Sequence, residues 1–139
     1  MLASMEQSGS VVPVILLGST GSIGTQARDV IDAHPGRFRV VGLSAGGSSI
    51  EVLAEQIVAL APAFVGVARD VREELVAAVR ALGGQCPQVF VGEQASVDVV
   101  RASVERARED YPGLVPVVLN GITGGVGLSS TLAALECGA

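Results

Sequence analysis

Lysine is absent from the 139 residues; all nine basic side chains are arginine, set against fourteen acids. That absence removes Schiff-base chemistry, a phosphate-loop lysine and any lysine general base. Tryptophan is missing too, aromatic residues amount to 3% and charged residues to 17%. A formal net charge of −5 argues against a nucleic-acid partner, which would need a basic face. Histidine occurs once, as His34 beside Pro35, and cysteine twice, as Cys86 and Cys137. Zinc needs clustered soft ligands that this inventory does not supply, so both thiols are expected to be reduced and partly buried. A Ser-His-Asp triad would have to use His34, which sits in a turn-like stretch. No apolar run is long enough for a membrane helix, and residues 1–10 are polar and lack the basic start of a signal peptide. The chain reads as soluble and cytoplasmic, with residues 1–10 a disordered lead-in and residues 11–139 one domain.

What remains is 49% apolar, with 23 valines and 18 alanines, enough to build one buried core. Short apolar runs, expected as strands, fall at residues 14–17, 38–44, 64–68, 89–91 and 115–119, the last read as buried. Pro13 is tolerated only at the start of the first strand. Helical periodicity follows each run. The first helix carries Ile23, Ala27, Val30 and Ile31 on one face, and residues 50–60 carry Leu53, Ile57 and Leu60. Residues 71–82 align Leu75, Val79 and Leu82; residues 95–108 align Val97, Val100 and Val104; residues 128–136 align Leu128, Leu132 and Leu135. Five strand–helix alternations with short connections predict an α/β fold: a doubly wound, Rossmann-like, mostly parallel sheet with helices on both faces.

Gly18, Gly21 and Gly24 punctuate the turn between the first strand and its helix. Glycines there allow a tight turn and close backbone approach to a pyrophosphate, at which the helix start aims unpaired N–H groups. The Thr20 and Ser22 hydroxyls could add donors. A phosphate loop of the lysine-containing kind is excluded. An acid at the end of the second strand would select NAD by holding the ribose 2′-OH. No acid lies between Asp32 and Glu51; the chain there reads Ser44-Ala45-Gly46-Gly47-Ser48-Ser49. That favours NADP, whose 2′-phosphate the loop N–H groups and serines could accept. The same residues also read as a capping box, Ser48 paired with Glu51.

The run Leu17-Gly18-Ser19-Thr20-Gly21-Ser22-Ile23-Gly24 resembles the opening of 1-deoxy-D-xylulose 5-phosphate reductoisomerases. His34-Pro35, Arg37-Phe38, Val40-Val41-Gly42-Leu43 and Ala45-Gly46 resemble that family's second strand. Asn120-Gly121-Ile122-Thr123-Gly124, Gly127-Leu128 and Thr131-Leu132-Ala133-Ala134-Leu135 resemble its later glycine loop and helix. The resemblance implies the NADPH-binding N-terminal domain of an enzyme of isoprenoid precursor synthesis. Such enzymes rearrange and reduce their sugar phosphate to 2-C-methyl-D-erythritol 4-phosphate, with NADPH and a divalent metal, magnesium or manganese.

It further implies that Gly18, Thr20, Gly21, Ser22 and Ile23 hold the cofactor. Gly46, Gly47, Ser48 and Ser49 then sit at its 2′-phosphate end, where many members carry Lys-Asn in place of Gly47-Ser48. Asn120, Gly121 and Ile122 line the far side of the cleft. It admits a homodimer, and it maps no catalytic acid and no metal ligand onto these residues, as in a fragment or a truncated relative. Two other readings stay open. One is the cofactor domain of another reductase with a G-x-T-G-x-x-G opening, such as aspartate-semialdehyde dehydrogenase or an extended short-chain reductase. The latter needs a Tyr-x-x-x-Lys pair that a lysine-free chain lacks, and the former a nucleophile for which Cys137 is poorly placed. The other is a non-catalytic nucleotide-binding module.

Overall fold

The computed structural model describes residues 11–122 and 124–138; the lead-in expected at residues 1–10 lies outside the described residues, as does Thr123. The strands are β1 (Val12–Leu17), β2 (Phe38–Ala45), β3 (Phe64–Val67), β4 (Gln88–Val91) and β5 (Val117–Asn120). The helices are α1 (Ser22–Ala33), α2 (Ile50–Leu60), α3 (Arg72–Ala81), α4 (Ala95–Asp110) and α5 (Gly124–Cys137). The sheet runs β4-β3-β2-β1-β5 and every pairing is parallel. The chain therefore winds outward from β1 to β4, then crosses back to place β5 on the other side of β1.

Alternation along β1 divides the core. Val14 and Leu16 join Ile31, Leu53, Ile57, Leu75 and Val79 under α1, α2 and α3. Ile15 and Leu17 join Val99, Val100, Val104, Ala133 and Ala134 under α4 and α5. β1 is buried on both faces, as its continuous apolar run predicts. It starts two residues earlier than expected and includes Pro13, which is compatible because pairing with β5 begins only at Val14.

β2 contains a bulge: Val14 pairs with Val40 but Ile15 with Gly42, leaving Val41 extra. The inserted residue changes the side-chain phase, which puts Gly42 against α4. A Cβ on Gly42 would lie 2.8 Å from Val99 Cγ1, and one on Gly66 2.8 Å from Val99 Cγ2 and 2.9 Å from the Ala95 carbonyl. These two glycines let α4 sit directly on the sheet.

Several apolar residues expected inside are on the surface. Ile23 is 57% exposed and Val30 54%, whereas Gly24 and Ile31 face inward on α1. Leu82 lies past the end of α3 and is exposed. β5 is an edge strand, paired only with β1 among the described residues, and its Val117 and Leu119 are exposed. α5 buries Ala133 and Ala134 rather than Leu132 and Leu135, because small residues allow closer packing on α4. The side chain of Leu128 lies outside the described residues. Val97 is half-buried, while Val99, Ser103 and Ala107 complete the inner face of α4. Cys86 and Cys137 are free, half-buried thiols, and burial pushes Cys86 up from its ordinary pKa.

Gly66→Ala should cost about 1–3 kcal/mol of folding stability, the usual range for overpacking a closed contact. Urea denaturation followed by circular dichroism measures it; an unchanged midpoint would show that α4 can lift off the sheet freely.

Candidate functional site

Parallel strands bring all their C-terminal ends to one edge, and the expected site residues leave from three of them. After β1, Gly18 takes φ +70°, and a Cβ there would sit 3.0 Å from the carbonyl carbon of Gly121. Gly121 follows β5 and donates its N–H to the Leu17 carbonyl at 2.9 Å. The two loops thus meet backbone to backbone where the winding reverses.

Other bonds fix the first loop. Ser19 N–H donates to the Ser44 carbonyl at 2.9 Å, Gly21 N–H to the Gly18 carbonyl at 3.1 Å, and Gln56 Nε2 to the Ser19 carbonyl at 2.8 Å. Gly24 lies on the buried side of α1, where a Cβ would fall 2.6 Å from Ser19 Cα. Gly21 differs from both neighbouring glycines. Its φ of −79° is open to any residue, and a Cβ would touch only the Gly18 carbonyl, at an ordinary 3.5 Å. What Gly21 contributes is an open surface at the N-cap of α1.

That helix start suits an anion. No side chain caps it and no acid occupies its first turn, so its leading N–H groups and dipole are uncompensated. Thr20 is half-buried, and Gly21, Ser22 and Ile23 are exposed around it. Thr25 Oγ1 donates to the Ser22 carbonyl at 3.0 Å. Behind the turn, Arg28 clamps α1 to α2 through Glu55 with two bonds of 2.7 and 2.8 Å, and also reaches Asp32 at 2.9 Å. The bond to Glu55 holds Arg28 above its usual pKa, and the same bond holds Glu55 below the usual carboxylate range.

After β2, Gly46 and Ser48 are exposed and Gly47 is buried at φ +103°. The expected capping box does not form. Helix α2 begins at Ile50 with Ser49 as N-cap, so its third turn position is Val52 and Ser48–Glu51 is out of register. Ser49 makes no side-chain cap bond either.

After β5, Asn120 is committed to shaping its own loop. Its Oδ1 accepts from Ile122 N–H at 3.0 Å, and its Nδ2 donates to the Gly127 carbonyl and Thr131 Oγ1, both at 2.8 Å. Gly121 and Ile122 are half-buried beside the first loop.

Two supporting interactions were not anticipated from the sequence. Gln56 is fully buried beneath the first loop, and Ser96 Oγ donates to Ser44 Oγ at 2.8 Å. Gln56 carried a signal: a polar residue set between Leu53 and Ile57 on the inward face of α2. His34 caps α1, its Nδ1 donating to the Val30 carbonyl at 2.9 Å. No three His, Cys, Asp or Glu side chains cluster as a metal site among the described residues. No described helix is long and apolar enough to cross a membrane.

A parallel sheet wound both ways from β1, with glycine loops meeting at the reversal, is a Rossmann-like α/β domain, the class built around dinucleotides. The family model described as 1-deoxy-D-xylulose 5-phosphate reductoisomerase matches residues 14–139. The reductoisomerase of Beutenbergia cavernae is 52% identical over 90% of this chain and 29% of its own length. That of Kitasatospora griseola is 48% identical over 90% of this chain and 30% of its own.

Among solved structures, the Zymomonas mobilis reductoisomerase in complex with NADPH superposes with a TM-score of 0.71 at 26% identity, over 91% of this chain and 30% of that one. A reductoisomerase in complex with NADPH, fosmidomycin and magnesium gives 0.73 at 26% identity, over 91% and 28%. The chain belongs to the 1-deoxy-D-xylulose 5-phosphate reductoisomerase family and spans about 30% of the length of these relatives. The readings as an aspartate-semialdehyde dehydrogenase or a short-chain reductase fall away.

Gly24→Ala should lower stability by about 1–3 kcal/mol by driving a methyl group into the loop backbone. Gly21→Val should leave stability within about 0.5 kcal/mol, as for an exposed position with permissive backbone. Thermal melts of both variants check the contrast, and equal losses would refute this division of roles.

Proposed function

We propose that this chain is the NADPH-holding part of a 1-deoxy-D-xylulose 5-phosphate reductoisomerase. The observation that carries the proposal is the backbone contact between the Gly18 and Gly121 loops, which keeps the uncapped start of α1 open at the reversal between β1 and β5. The fit to a pyrophosphate is direct. Leading N–H groups are available, no acid competes in the first turn, and Gly21 leaves the approach clear.

In this reading Gly18, Thr20, Gly21, Ser22 and Ile23 surround the pyrophosphate and the adjoining ribose. Gly46, Gly47, Ser48 and Ser49 receive the adenosine 2′-phosphate, and Gly121 and Ile122 form the opposite wall, shaped by Asn120. When bound, NADPH supplies the hydride that reduces the rearranged sugar to 2-C-methyl-D-erythritol 4-phosphate. The chain's own residues hold and orient that donor. A divalent metal does not fit the described residues, which offer no carboxylate cluster. We assign the metal, the sugar phosphate and the catalytic acids to the rest of the longer family architecture. Our reading includes a cytoplasmic location for the enzyme and allows a homodimer.

The chain should bind NADPH at least about tenfold more tightly than NADH, the scale of one charge-assisted contact to the 2′-phosphate. Gly21→Val should lose NADPH while remaining folded. Isothermal titration at fixed ionic strength tests both, and equal affinity for the two nucleotides would contradict the argument from the missing acid. The chain alone should show no turnover of 1-deoxy-D-xylulose 5-phosphate with magnesium or manganese, since nothing in it positions substrate against the nicotinamide. NADPH absorbance reads this, and sustained substrate-dependent oxidation would mean that a complete active site is present.

A further inference from the structure

A phosphate monoester brings about −1.5 to −2 charges at neutral pH. The loop expected to receive it, residues 46–49, contains no base, and Glu51 stands in the first turn of the helix that follows. An uncapped helix start shared with a carboxylate is a weak counter-ion. A cation has to come from another part of the fold.

The nine arginines can be sorted by place and engagement. Arg28 and Arg106 are held in ion pairs, Arg72 donates to the Val89 carbonyl at 3.2 Å, Arg108 donates to the Cys137 carbonyl, and Arg101 is exposed part-way along α4, on the opposite face of the sheet from α2. Arg37 and Arg39 lie at the opposite end of β2, and Arg80 lies in the last turn of α3, which faces away from the strand C-termini. Arg69 stands apart from all of these. It leaves the C-terminal end of β3, the immediate neighbour of β2, and makes no ion pair among the described residues.

Its position is pinned by backbone. Pairing of β2 with β3 continues past both strands, with Ala68 N–H donating to the Ala45 carbonyl at 3.2 Å and Arg69 N–H to the Gly46 carbonyl at 3.1 Å. The base of the Arg69 side chain then lies against the place that a side chain at residue 47 would take. A Cβ on Gly47 would lie 3.3 Å from Arg69 Cβ and 3.8 Å from Arg69 Cγ. Gly47, at φ +103°, buried and flanked by Val71 as well, acts as the bed on which Arg69 lies. The next residue, Asp70, lines a surface hollow with Arg72, Glu73 and Glu74 at the start of α3. Arg69 is therefore tethered at the rim of the serine loop by its backbone and the base of its side chain, exposed and with no ion pair among the described residues.

We infer that Arg69, reaching across from β3 over Gly47, is the cation that recognises the 2′-phosphate of NADPH and so sets the preference for NADPH over NADH. The inference rests on the cofactor reading above and adds a residue to it. Guanidinium suits the task because its fixed fork can donate two hydrogen bonds to phosphate oxygens.

The test uses Arg69→Gln, Arg69→Lys and, as a control for net charge, Arg39→Gln at the far end of the sheet. Affinities for NADPH, NADH and adenosine 2′,5′-bisphosphate are measured by titration calorimetry, with melting curves to confirm folding. Arg69→Gln should weaken NADPH and the bisphosphate by about tenfold or more and leave NADH within about twofold. Arg69→Lys should keep most of the preference, and Arg39→Gln should change none of the three affinities. An unaltered NADPH-to-NADH ratio in Arg69→Gln, or equal shifts in Arg69→Gln and Arg39→Gln, overturns the role of Arg69 while the cofactor reading stands. A wild-type chain that binds neither nucleotide overturns that reading and the role of Arg69 with it.

Discussion

The structure depends on one contact that only glycine permits, that of Gly18 with Gly121. β1 and β5 are adjacent parallel strands that reach the same edge, and their chains must diverge there, one into α1 and the other toward α5. A side chain at residue 18 would be driven into the Gly121 backbone, and a left-handed φ of +70° already disfavours one. With both side chains absent, Gly121 N–H bonds the last carbonyl of β1 and the loops close on each other. Ser44 and Gln56 then lock the turn from β2 and α2. The backbone donors at the start of α1 are thus fixed before any ligand arrives, which spares the ordering cost that a loose loop would add to binding.

A second constraint comes from unequal numbers of helices. Three helices cover one face of the sheet, whereas on the other α4 has to serve β2, β3, β4 and part of β1. It can do so only by lying close, and the bulge at Val41 together with Gly42 and Gly66 provides that closeness. The effect reaches the site. The start of α4 bonds Ser44 through Ser96, and the Ser44 carbonyl in turn holds Ser19 in the glycine loop. The packing of α4 and the shape of the Gly18–Gly24 turn are therefore one mechanical unit.

The sequence made the element order, the parallel sheet and the glycine loops after β1 and β2 legible, because strand–helix alternation and glycine spacing are local signals; the last helix, expected from residue 128, already begins at Gly124. It misled where burial depends on what lies opposite. Leu132 and Leu135 have helical spacing, yet the neighbouring Ala133 and Ala134 face α4, since a two-helix layer favours small residues at its contact. The fifth strand has the apolar composition of a buried one but lies at the sheet edge, a matter of order that composition does not encode. The Ser48–Glu51 pair matched a capping pattern one residue out of phase with the helix that forms. Gly18, Gly21 and Gly24 looked alike as a motif, yet only coordinates separate a backbone requirement from a packing requirement and from an open approach.

On the proposed cofactor reading, these features account for how a chain of net charge −5 would present a surface for a highly anionic ligand. At physiological ionic strength, charges more than about 8 Å apart are largely screened, so local arrangement outweighs the total. At the start of α1 the attraction comes from peptide dipoles alone, with no acid in the first turn to oppose them. Neutral donors of this kind recognise a pyrophosphate whichever nicotinamide nucleotide carries it. At the start of α2 the dipole is offset by Glu51, and discrimination has to come from a side chain. On the proposed reading, general affinity resides in backbone that cannot change without breaking the Gly18–Gly121 contact. On the same reading, choice between nucleotides resides at the end of β2 and β3, in the exposed Arg69 side chain rather than in the buried Gly47 beneath it.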